Sequence, residues 1–552
     1  MKSRFLVRIG SDGSVFSEVK LSGKFYDDEV LIDDENYFIL VNGVVLNSEQ
    51  LSGSGSFSDY VLRNFTSGGG GIEDWRGNFC GIFYDKNKHC GKIFTDHFSS
   101  EPIVYYKDGK NLIISSSVKI LVNYLRSQRI NVSVSMAGAY SMLVYGFMYD
   151  NYTPFEGIYK LVAGTSINLT PNGGISEPEY YHKLCEPEHE RTDLDAVVQE
   201  MGELFLKAAA LAVEKNRHYG CTNYAPLSAG LDSRMTCFTL HKLGVEDAVL
   251  FTYSQIGEKD HVVPGKIAAY LGYTWLFKSL DNGNHLLDID EAIDLADSLI
   301  KNDWPLELNG FLKLIDREKM GVVHTGVLGD VIVGSYYHRF TPKPYTLGAG
   351  ASFIEAADWL KQKLKVCVNE RHFKDYEAGM MNIRGMNGIV PGYATSFMTC
   401  GEGVSPFMYV EFFDLCMSVP FKFRTAHNLY YKWVYSFMPE AAKFRYNGLR
   451  IHDSRKYFAL KNRYLSIDRI CDILSRKIKS KLGIELGMDP STKWYNENER
   501  LRNFMDSYFK EAVEFVEEPE LREDLVRLYA SDNAGIKIQC ITLAGTVKNF
   551  LC

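Results

Sequence analysis

The sequence predicts a protein of the α/β and α+β class with two unlike parts. Residues 1–126 contain short β-rich segments separated by turns, whereas strands and amphipathic helices alternate regularly after residue 193. Short successive strands are typical of antiparallel sheets, and strand–helix alternation is typical of a doubly wound parallel sheet. A chain of 552 residues is long enough for about two to four domains. We expect one domain over residues 1–190 and a second over residues 191–552.

The composition limits the classes of function. Hydrophobic residues make up 46% of the chain and charged residues 24%, as in folded globular proteins. The net charge of −8 gives no reason to expect nucleic acid or an anionic membrane as a partner. The 11 cysteines occur singly, which is typical of reduced thiols. Because no apolar run is long enough for a signal peptide or a membrane helix, we expect a cytoplasmic protein.

The first part of the chain is expected to be mostly strands. They are predicted over residues 5–9, 29–32, 37–45, 78–84, 92–95, 103–106 and 112–115. A helix is predicted over residues 135–147, and the polar, acidic stretch 185–193 is expected to be a linker.

The second part begins with a long amphipathic helix capped by Thr192 or Asp193, because apolar residues from Leu194 onward fall on one face. Strands are then predicted over residues 224–227, 248–253, 275–278 and 321–325, with helices over 233–243, 260–271 and 287–301. In such sheets, ligands bind at the carboxyl ends of the strands. Residues 453–552 are expected to be largely helical, starting near Tyr457 and Leu460, while residues 340–400 give no assignment.

The strongest functional signal is the loop that follows the strand at 224–227. The small residues Ser228, Gly230 and Ser233 allow backbone N–H groups to close on a phosphate at a helix N-terminus. Asp232 lies among those donors, where a carboxylate suits a Mg²⁺-bound nucleotide. A second glycine-rich loop carries Asp330, and the topology places it beside the first. The alternative for each loop is a tight turn in which the aspartate is only a cap.

The order of four motifs in the first part resembles the class II glutamine amidotransferase domain of asparagine synthetases. The motifs occupy residues 42–47, 76–85, 95–106 and 114–119, beginning with Asn42 and Gly43. The resemblance implies an αββα sandwich of the N-terminal-nucleophile type. Its glutaminase reaction uses a cysteine exposed after removal of the first Met, and Lys2 stands at that position. We therefore expect a domain without glutaminase activity.

The two loops of the second part resemble the ATP-pyrophosphatase synthetase domain of the same family, whose relatives include β-lactam synthetase and lasso-peptide cyclases. The resemblance implies ATP and Mg²⁺ as ligands, with Asp232 and Asp330 on the metal. Glu402 is the candidate for a substrate-facing acid or base. The residues implied to bind ATP are Leu227, Ser228, Gly230, Asp232, Ser233, Tyr253, Thr325 and Gly326.

The sequence departs from the family pattern at several positions. Ala229 replaces a loop glycine, Val327 and Val331 replace acids of the second motif, the motif at 402–407 lacks its arginine, and residues 444–448 lack a lysine that the family often carries.

Three functions stay open after these departures. The first is an ATP-dependent ligase that adenylates a carboxylate and joins it to an amine without using glutamine. The second is a nucleotide-binding protein without synthetase activity, and the third is an ammonia-dependent asparagine synthetase. The expected partners are a small-molecule or peptide carboxylate and an amine acceptor. The sequence identifies neither the substrate nor the oligomeric state.

Overall fold

The structure is a computed structural model. It describes residues 3–551 except 69–70, 110, 172–173, 302, 337–342, 352–357, 398, 446–450, 452–456, 461–462, 467–469, 471–473, 475–477 and 479–489. Position 2 and most of the segment without a lysine at 444–448 therefore lie outside the described residues.

The strands within these ranges are numbered in chain order. They are β1 Arg4–Gly10, β2 Val15–Lys20, β3 Val30–Asp33, β4 Tyr37–Val45, β5 Gly77–Asp85, β6 Cys90–Thr95, β7 Val104–Lys107, β8 Asn111–Ser115, β9 Ile158–Lys160, β10 Thr165–Leu169, β11 Glu179–Tyr180, β12 Thr222–Pro226, β13 Val249–Ser254, β14 Thr274–Ser279, β15 Met320–His324, β16 Glu402–Val404, β17 Tyr457–Leu460 and β18 Arg463–Ser466.

The helices are identified by their ranges. The α-helices are Ser48–Ser52, Phe57–Thr66, Val118–Ser127, Met136–Tyr145, Leu194–His218, Asp232–Lys242, Lys259–Leu271, Ile289–Ala296, Asp303–Leu312, Asp358–Cys367, Tyr376–Met380, Val390–Phe397, Val410–Ser418, Phe421–Arg424, Asn428–Phe437, Pro439–Ala442, Ser491–Glu497, Glu499–Ala512, Pro519–Tyr529 and Ala534–Leu551. Two segments, Asp330–Gly334 and Met381–Ile389, are π-helical.

The first part of the chain forms two stacked antiparallel sheets. Their strand orders are β2-β1-β8-β7-β9 and β11-β10-β6-β5-β4-β3. Alternate residues of β1 explain the stacking, because Phe5, Val7 and Ile9 pack between the sheets with Leu40 of β4. The intervening Leu6 points to the outer side and joins another core cluster. One face of each sheet is thus buried against the other.

Helices cover both outer faces of this sandwich. The helix Phe57–Thr66 packs its apolar stripe against β4 and β5, and it begins at Ser56, whose side chain accepts a hydrogen bond from the Asp59 N–H. The helices Val118–Ser127 and Met136–Tyr145 cover the other sheet. The four layers are αββα, which confirms the predicted layering of the N-terminal part.

The second part is built on a parallel sheet with the order β14-β13-β12-β15-β16. Every neighbouring pair in this sheet is parallel. The helices Leu194–His218, Asp232–Lys242 and Lys259–Leu271 pack on one face. The helices Asp303–Leu312 and Val390–Phe397 pack on the other face. Helices on both faces confirm the predicted doubly wound arrangement.

Two sequence predictions of elements were wrong. The helix expected over residues 287–301 spans only Ile289–Ala296, because Asp297 takes a left-handed conformation with φ of 48°. Its carboxylate instead accepts hydrogen bonds from the Ser117 hydroxyl and the Lys119 N–H, at 2.9 and 3.0 Å. The expected helical start near Tyr457 and Leu460 is strand β17, which pairs with β18. The contact of Asp297 is with residues distant in sequence, whereas β17 and β18 are neighbours along the chain.

The C-terminal helices pack against the N-terminal part. A single core cluster contains Leu121 and Tyr140 together with Met505, Leu525 and Phe550. The described residues contain no helix with the length and apolar character needed to cross a bilayer. The division of the chain at residue 190 remains a prediction, since this core extends across it.

Candidate functional site at the ends of the parallel strands

The first loop of the site connects β12 to the helix Asp232–Lys242. The Ser228 N–H donates to the Ser233 hydroxyl at 3.0 Å, and the Gly230 N–H donates to the Ser228 hydroxyl at 3.0 Å. The two hydroxyls lie 3.0 Å apart. Ser228, Gly230 and Ser233 are each half-buried, so the loop is open on one side. The structure therefore brings these three predicted residues into one small, polar turn.

Ala229 fits this loop without strain. Its φ is not positive, so the methyl group that replaces the glycine hydrogen has no backbone cost. The Ala229 N–H donates to an Asp260 carboxylate oxygen at 2.8 Å, which ties the loop to the start of the helix Lys259–Leu271.

The second loop, after β15, lies directly against the first. A methyl group on Gly326 would lie 2.5 Å from the carbonyl carbon of Asp232 and from the amide nitrogen of Ser233. A methyl group on Gly329 would lie 2.8 Å from Cγ of Asp232. Only glycine permits these approaches. We call residues 228–233 and 326–330 together the two-loop site.

Asp232 and Asp330 meet at this contact. The Asp330 N–H donates to Oδ2 of Asp232 at 3.1 Å, and the Tyr430 hydroxyl donates to Oδ1 of Asp232 at 2.7 Å. Asp232 is half-buried, whereas Asp330 is exposed. Both oxygens of Asp232 are thus held in fixed positions.

The pKa values of both carboxyl groups are raised. Burial raises the pKa of Asp232 well above its ordinary value, and the neighbouring charge of Asp330 raises it further. The enclosing protein also raises the pKa of Asp330, and the positive charge of Arg384 opposes that rise. Two negative charges are therefore unfavourable here without a cation.

This arrangement fits Mg²⁺ bound together with a nucleotide. Mg²⁺ usually binds one or two protein carboxylates and takes its other ligands from water and phosphate oxygens. The described part of the chain has no cluster of three or more His, Cys, Asp and Glu side chains that could hold a metal ion. Asp232 and Asp330 could supply two oxygen ligands, while the open side of the loops leaves room for phosphate.

Tyr393, on the helix Val390–Phe397, lies near the two-loop site. Tyr393 is 38% exposed, yet burial raises its pKa to about 12, with the charges of Glu307, Asp232 and Asp330 adding to the shift. Burial also raises the pKa of Tyr253, with smaller contributions from Tyr393 and Glu307. Tyr253 therefore lies close to Tyr393.

The other predicted ATP-binding residues lie at the strand ends but turn their side chains inward. Leu227 is 2% exposed, and its carbonyl oxygen accepts a hydrogen bond from the Thr252 hydroxyl at 2.6 Å. Thr325 is fully buried, and its carbonyl oxygen accepts from the Thr236 hydroxyl at 3.1 Å. These two residues shape the ends of β12 and β15 through their backbones.

Glu402 lies away from this site. It begins β16 and pairs with Val322, so it is at the opposite end of the strand from the two loops. Its carboxylate accepts a hydrogen bond from Asn78 at 3.4 Å. It lines a small cavity, the N-terminal pocket, whose walls also include Lys24, Asn42, Gly43 and Glu101. The structure does not bring Glu402 to Asp232 and Asp330.

The sequence did not reveal three residues of the site. Tyr430, Arg384 and Tyr393 lie far along the chain from the first loop, within segments without a recognisable motif. Val327 and Val331, which stand where the family pattern has acids, are buried in a core cluster with Leu328. No pattern in the sequence indicates that these positions face inward.

Comparison with known proteins supports the sequence motifs. A family model described as a glutamine amidotransferase domain matches residues 30–181. A curated relative from Methanocaldococcus jannaschii, described as "Putative asparagine synthetase [glutamine-hydrolyzing] 2", is 25% identical over 330 residues, which is 56% of this chain. The chain spans 61% of the length of that relative.

Comparison with solved structures matches this chain to a glutamine phosphoribosylpyrophosphate amidotransferase from B. subtilis, complexed with ADP and GMP. It is 9% identical and has a TM-score of 0.19, with 51% of this chain and 85% of that chain covered. The TM-score is below the level at which two structures share a fold.

The family model and the relative define the class as a protein with a glutamine amidotransferase domain. Together they support assignment of the chain to an asparagine synthetase-like family.

Proposed function

We propose that this protein is an ATP-dependent ligase that activates a carboxylate as an acyl-adenylate and joins it to an amine. The observation that carries the proposal is the meeting of Asp232 and Asp330 at the carboxyl ends of β12 and β15. The adjoining loop presents polar groups of a size suited to phosphate.

The reaction requires two displacements. A carboxylate oxygen of the substrate attacks the α-phosphorus of ATP, the bond between that phosphorus and the bridging oxygen breaks, and pyrophosphate leaves. The amine nitrogen then attacks the acyl carbon, AMP leaves with the oxygen of the broken acyl–oxygen bond, and the nitrogen loses a proton. Both steps develop negative charge on phosphoryl oxygens, so positive groups at these oxygens accelerate them.

The residues of the two-loop site have separate tasks in this proposal. The N–H groups of Ser228 and Gly230, now bonded to hydroxyls of the same loop, would turn to phosphate oxygens. Asp232 and Asp330 would hold Mg²⁺, which supplies charge neutralisation when bound. Tyr430 orients Asp232 through its 2.7 Å hydrogen bond, as groups behind metal ligands commonly do. Tyr253 would lie beside the adenosine.

The amine in this proposal does not come from glutamine. The sulfur next to Asn42 is that of Cys80, 3.9 Å from Nδ2, and Cys80 is fully buried within β5. A thiol without access to water cannot attack a glutamine amide and then be released by water. The substrates are a small-molecule or peptide carboxylate and either ammonia or a primary amine.

The test combines binding with product analysis. Mg-ATP should raise the melting temperature by mass action, and ATP without Mg²⁺ should raise it less. A panel of carboxylates and amines should then yield AMP and pyrophosphate, while glutamine alone yields no glutamate. ADP and phosphate as products would contradict adenylation. Glutamate release that thiol alkylation abolishes would contradict the independence from glutamine.

A second function, nucleotide binding without synthesis, is favoured by the burial of Val327 and Val331 and by the position of Glu402. These features leave the two-loop site with fewer acidic side chains than the family pattern implies. Mg-ATP binding together with silence across the entire panel is the result that this second function predicts.

A further inference from the structure

Arg384 is a cationic side chain beside the two-loop site, and it has no role in the proposed reaction. It lies on the π-helical segment Met381–Ile389 and is half-buried. A methyl group on the next residue, Gly385, would lie 3.8 Å from both methyl carbons of Leu328, two residues before Asp330. The segment that carries Arg384 is therefore packed directly on the second loop. Short π-helical segments are frequent at functional sites.

The guanidinium of Arg384 is not committed to another acid. Nη1 donates one long hydrogen bond, 3.4 Å, to the Gly350 carbonyl oxygen. Within the described ranges it forms no ion pair at 4.0 Å or less, although its charge acts on Asp330 and Tyr336. Among the described residues, the bond to Gly350 is the only hydrogen bond that this guanidinium makes, although it has five N–H donors.

Two other buried arginines near the site are fully engaged in structure. Arg234, within the helix that follows the first loop, donates to the carbonyl oxygens of Ala229, Ala441, Phe444 and Arg445. Its guanidinium is fully buried and directed away from solvent.

Arg424 forms a bidentate ion pair with Glu377 and donates to the Gly334 carbonyl oxygen at 2.9 Å. Arg384 differs from Arg424 in having no acidic partner among the described residues, and from Arg234 in making a single long hydrogen bond to a carbonyl oxygen, while its charge acts on Asp330. A nucleotide carries more negative charge than one Mg²⁺ ion held by two carboxylates can balance, so the site needs such a cation.

We propose that Arg384 is a phosphate-binding residue of the two-loop site, donating from its guanidinium to phosphoryl oxygens of the bound nucleotide. This inference rests on the proposed function and adds one residue to it. Guanidinium groups suit the task because their fork of donors matches two oxygens of a phosphate at once. The contact would hold the α- to γ-phosphates on the open side of Asp330.

The experiment compares three probes on wild type and two variants, with Mg²⁺ present throughout. Dissociation constants are measured for ATP, for inorganic pyrophosphate and for adenosine with wild type, Arg384→Gln and Arg384→Lys. Loss of a charged hydrogen bond corresponds to about 10- to 100-fold in affinity. We expect Arg384→Gln to weaken ATP and pyrophosphate by that factor and to leave adenosine unchanged. Arg384→Lys should recover part of the loss.

The control is Arg126→Gln, because Arg126 also donates to a backbone carbonyl, that of Phe550, and lies on the helix Val118–Ser127 of the N-terminal part. It should bind all three probes like wild type. Equal affinities of wild type and Arg384→Gln for pyrophosphate would overturn the inference, as would equal losses for adenosine and ATP. If wild type itself binds neither Mg-ATP nor Mg-pyrophosphate, both the proposed function and the inference fail.

Discussion

The N-terminal pocket and the two-loop site differ in how far their polar side chains are paired with one another. In the N-terminal pocket, Asn42 donates to Glu101 at 2.9 Å, and both side chains are buried. Nearby, the carboxylate of Asp96 accepts hydrogen bonds from the N–H groups of Phe98 and Ser100, at 2.8 and 2.9 Å. These hydrogen bonds join buried polar groups to one another, while Oδ1 of Asn42 is buried without a hydrogen-bond partner among the described residues.

In the two-loop site, by contrast, the charged side chains are not paired with opposite charges among the described residues. Asp330 is exposed, the Asp232 and Asp330 carboxylates repel each other, and Arg384 has no acidic partner among the described residues. Such an arrangement costs stability in the empty protein and gains it when a ligand brings compensating charge. The difference supports the proposal that the two-loop site, rather than the N-terminal pocket, is where the chemistry takes place.

A buried contact joins the sandwich to the segment that carries Arg384. Lys160 of β9 donates from Nζ to Oδ1 of Asn387 at 2.5 Å, and Asn387 lies on the same π-helical segment as Arg384. The sandwich therefore supports the segment that covers the second loop.

The largest effect is expected from removing either carboxylate. Asp330→Asn and Asp232→Asn should each lower AMP formation by about 100-fold or more, because transition-state charge loses its stabilisation. The double variant should lose little more, since both residues act through one ion. Melting temperatures should not fall, because the burial of Asp232 and the repulsion between the two carboxylates already disfavour the two charges.

The matched control for these variants is Asp247→Asn, an exposed aspartate before β13 at the other end of the parallel sheet. It should leave AMP formation and the response of the melting temperature to Mg²⁺ unchanged. A wild-type rate in Asp330→Asn would refute the metal assignment.

A smaller effect is expected where the loops touch. Gly326→Ala should lower the free energy of unfolding by about 1–3 kcal/mol, because its methyl group meets backbone atoms at 2.5 Å. It should also weaken Mg-ATP binding by separating the loops. Gly310→Ala, in the helix Asp303–Leu312, is the control. A methyl group there meets no atom within 4 Å, so it should raise the free energy of unfolding by about 0.5–1 kcal/mol. Equal melting curves for Gly326→Ala and wild type would contradict the close contact.

The link at Lys160 predicts a pH dependence of stability. Burial lowers the pKa of Lys160 from 10.5 to about 8. Below pH 8 both folded and unfolded states are protonated, so the cost of the buried charge is fully present. Between about pH 8 and 10.5 the folded state loses its proton first, so this contribution to stability rises, by about 3 kcal/mol in total.

Lys160→Met should abolish that rise. The measurement is the difference in melting temperature between wild type and variant from pH 7 to 10, which removes the titration of other groups. Lys86→Met, which removes a lysine from the ion pair with Asp33 at the surface, serves as the control. A difference between wild type and Lys160→Met that stays constant across this range would show that Lys160 is not held in a low-polarity environment.

The sequence by itself determined the class of fold and the two loops. Alternation of apolar residues, as in β1, specifies which side of a strand is buried, and a strand–turn–helix with Ser228, Gly230 and Asp232 specifies a phosphate-sized turn. These properties depend on neighbours within a few residues, so they can be predicted from local sequence. The helix Phe57–Thr66, although not predicted, also carried such a signal in the spacing of Phe57, Val61 and Phe65.

Only the tertiary structure decided which distant residues complete the site. Tyr430 reaches Asp232 across 198 positions of sequence, and Arg384 reaches the second loop through the packing of Gly385 on Leu328. The tertiary structure also places Glu402 at the end of β16 opposite to the two loops. The sequence around Glu402 does not indicate at which end of the sheet its side chain lies. Such contacts arise from the packing of whole layers, because the position of a side chain far along the chain depends on every element between.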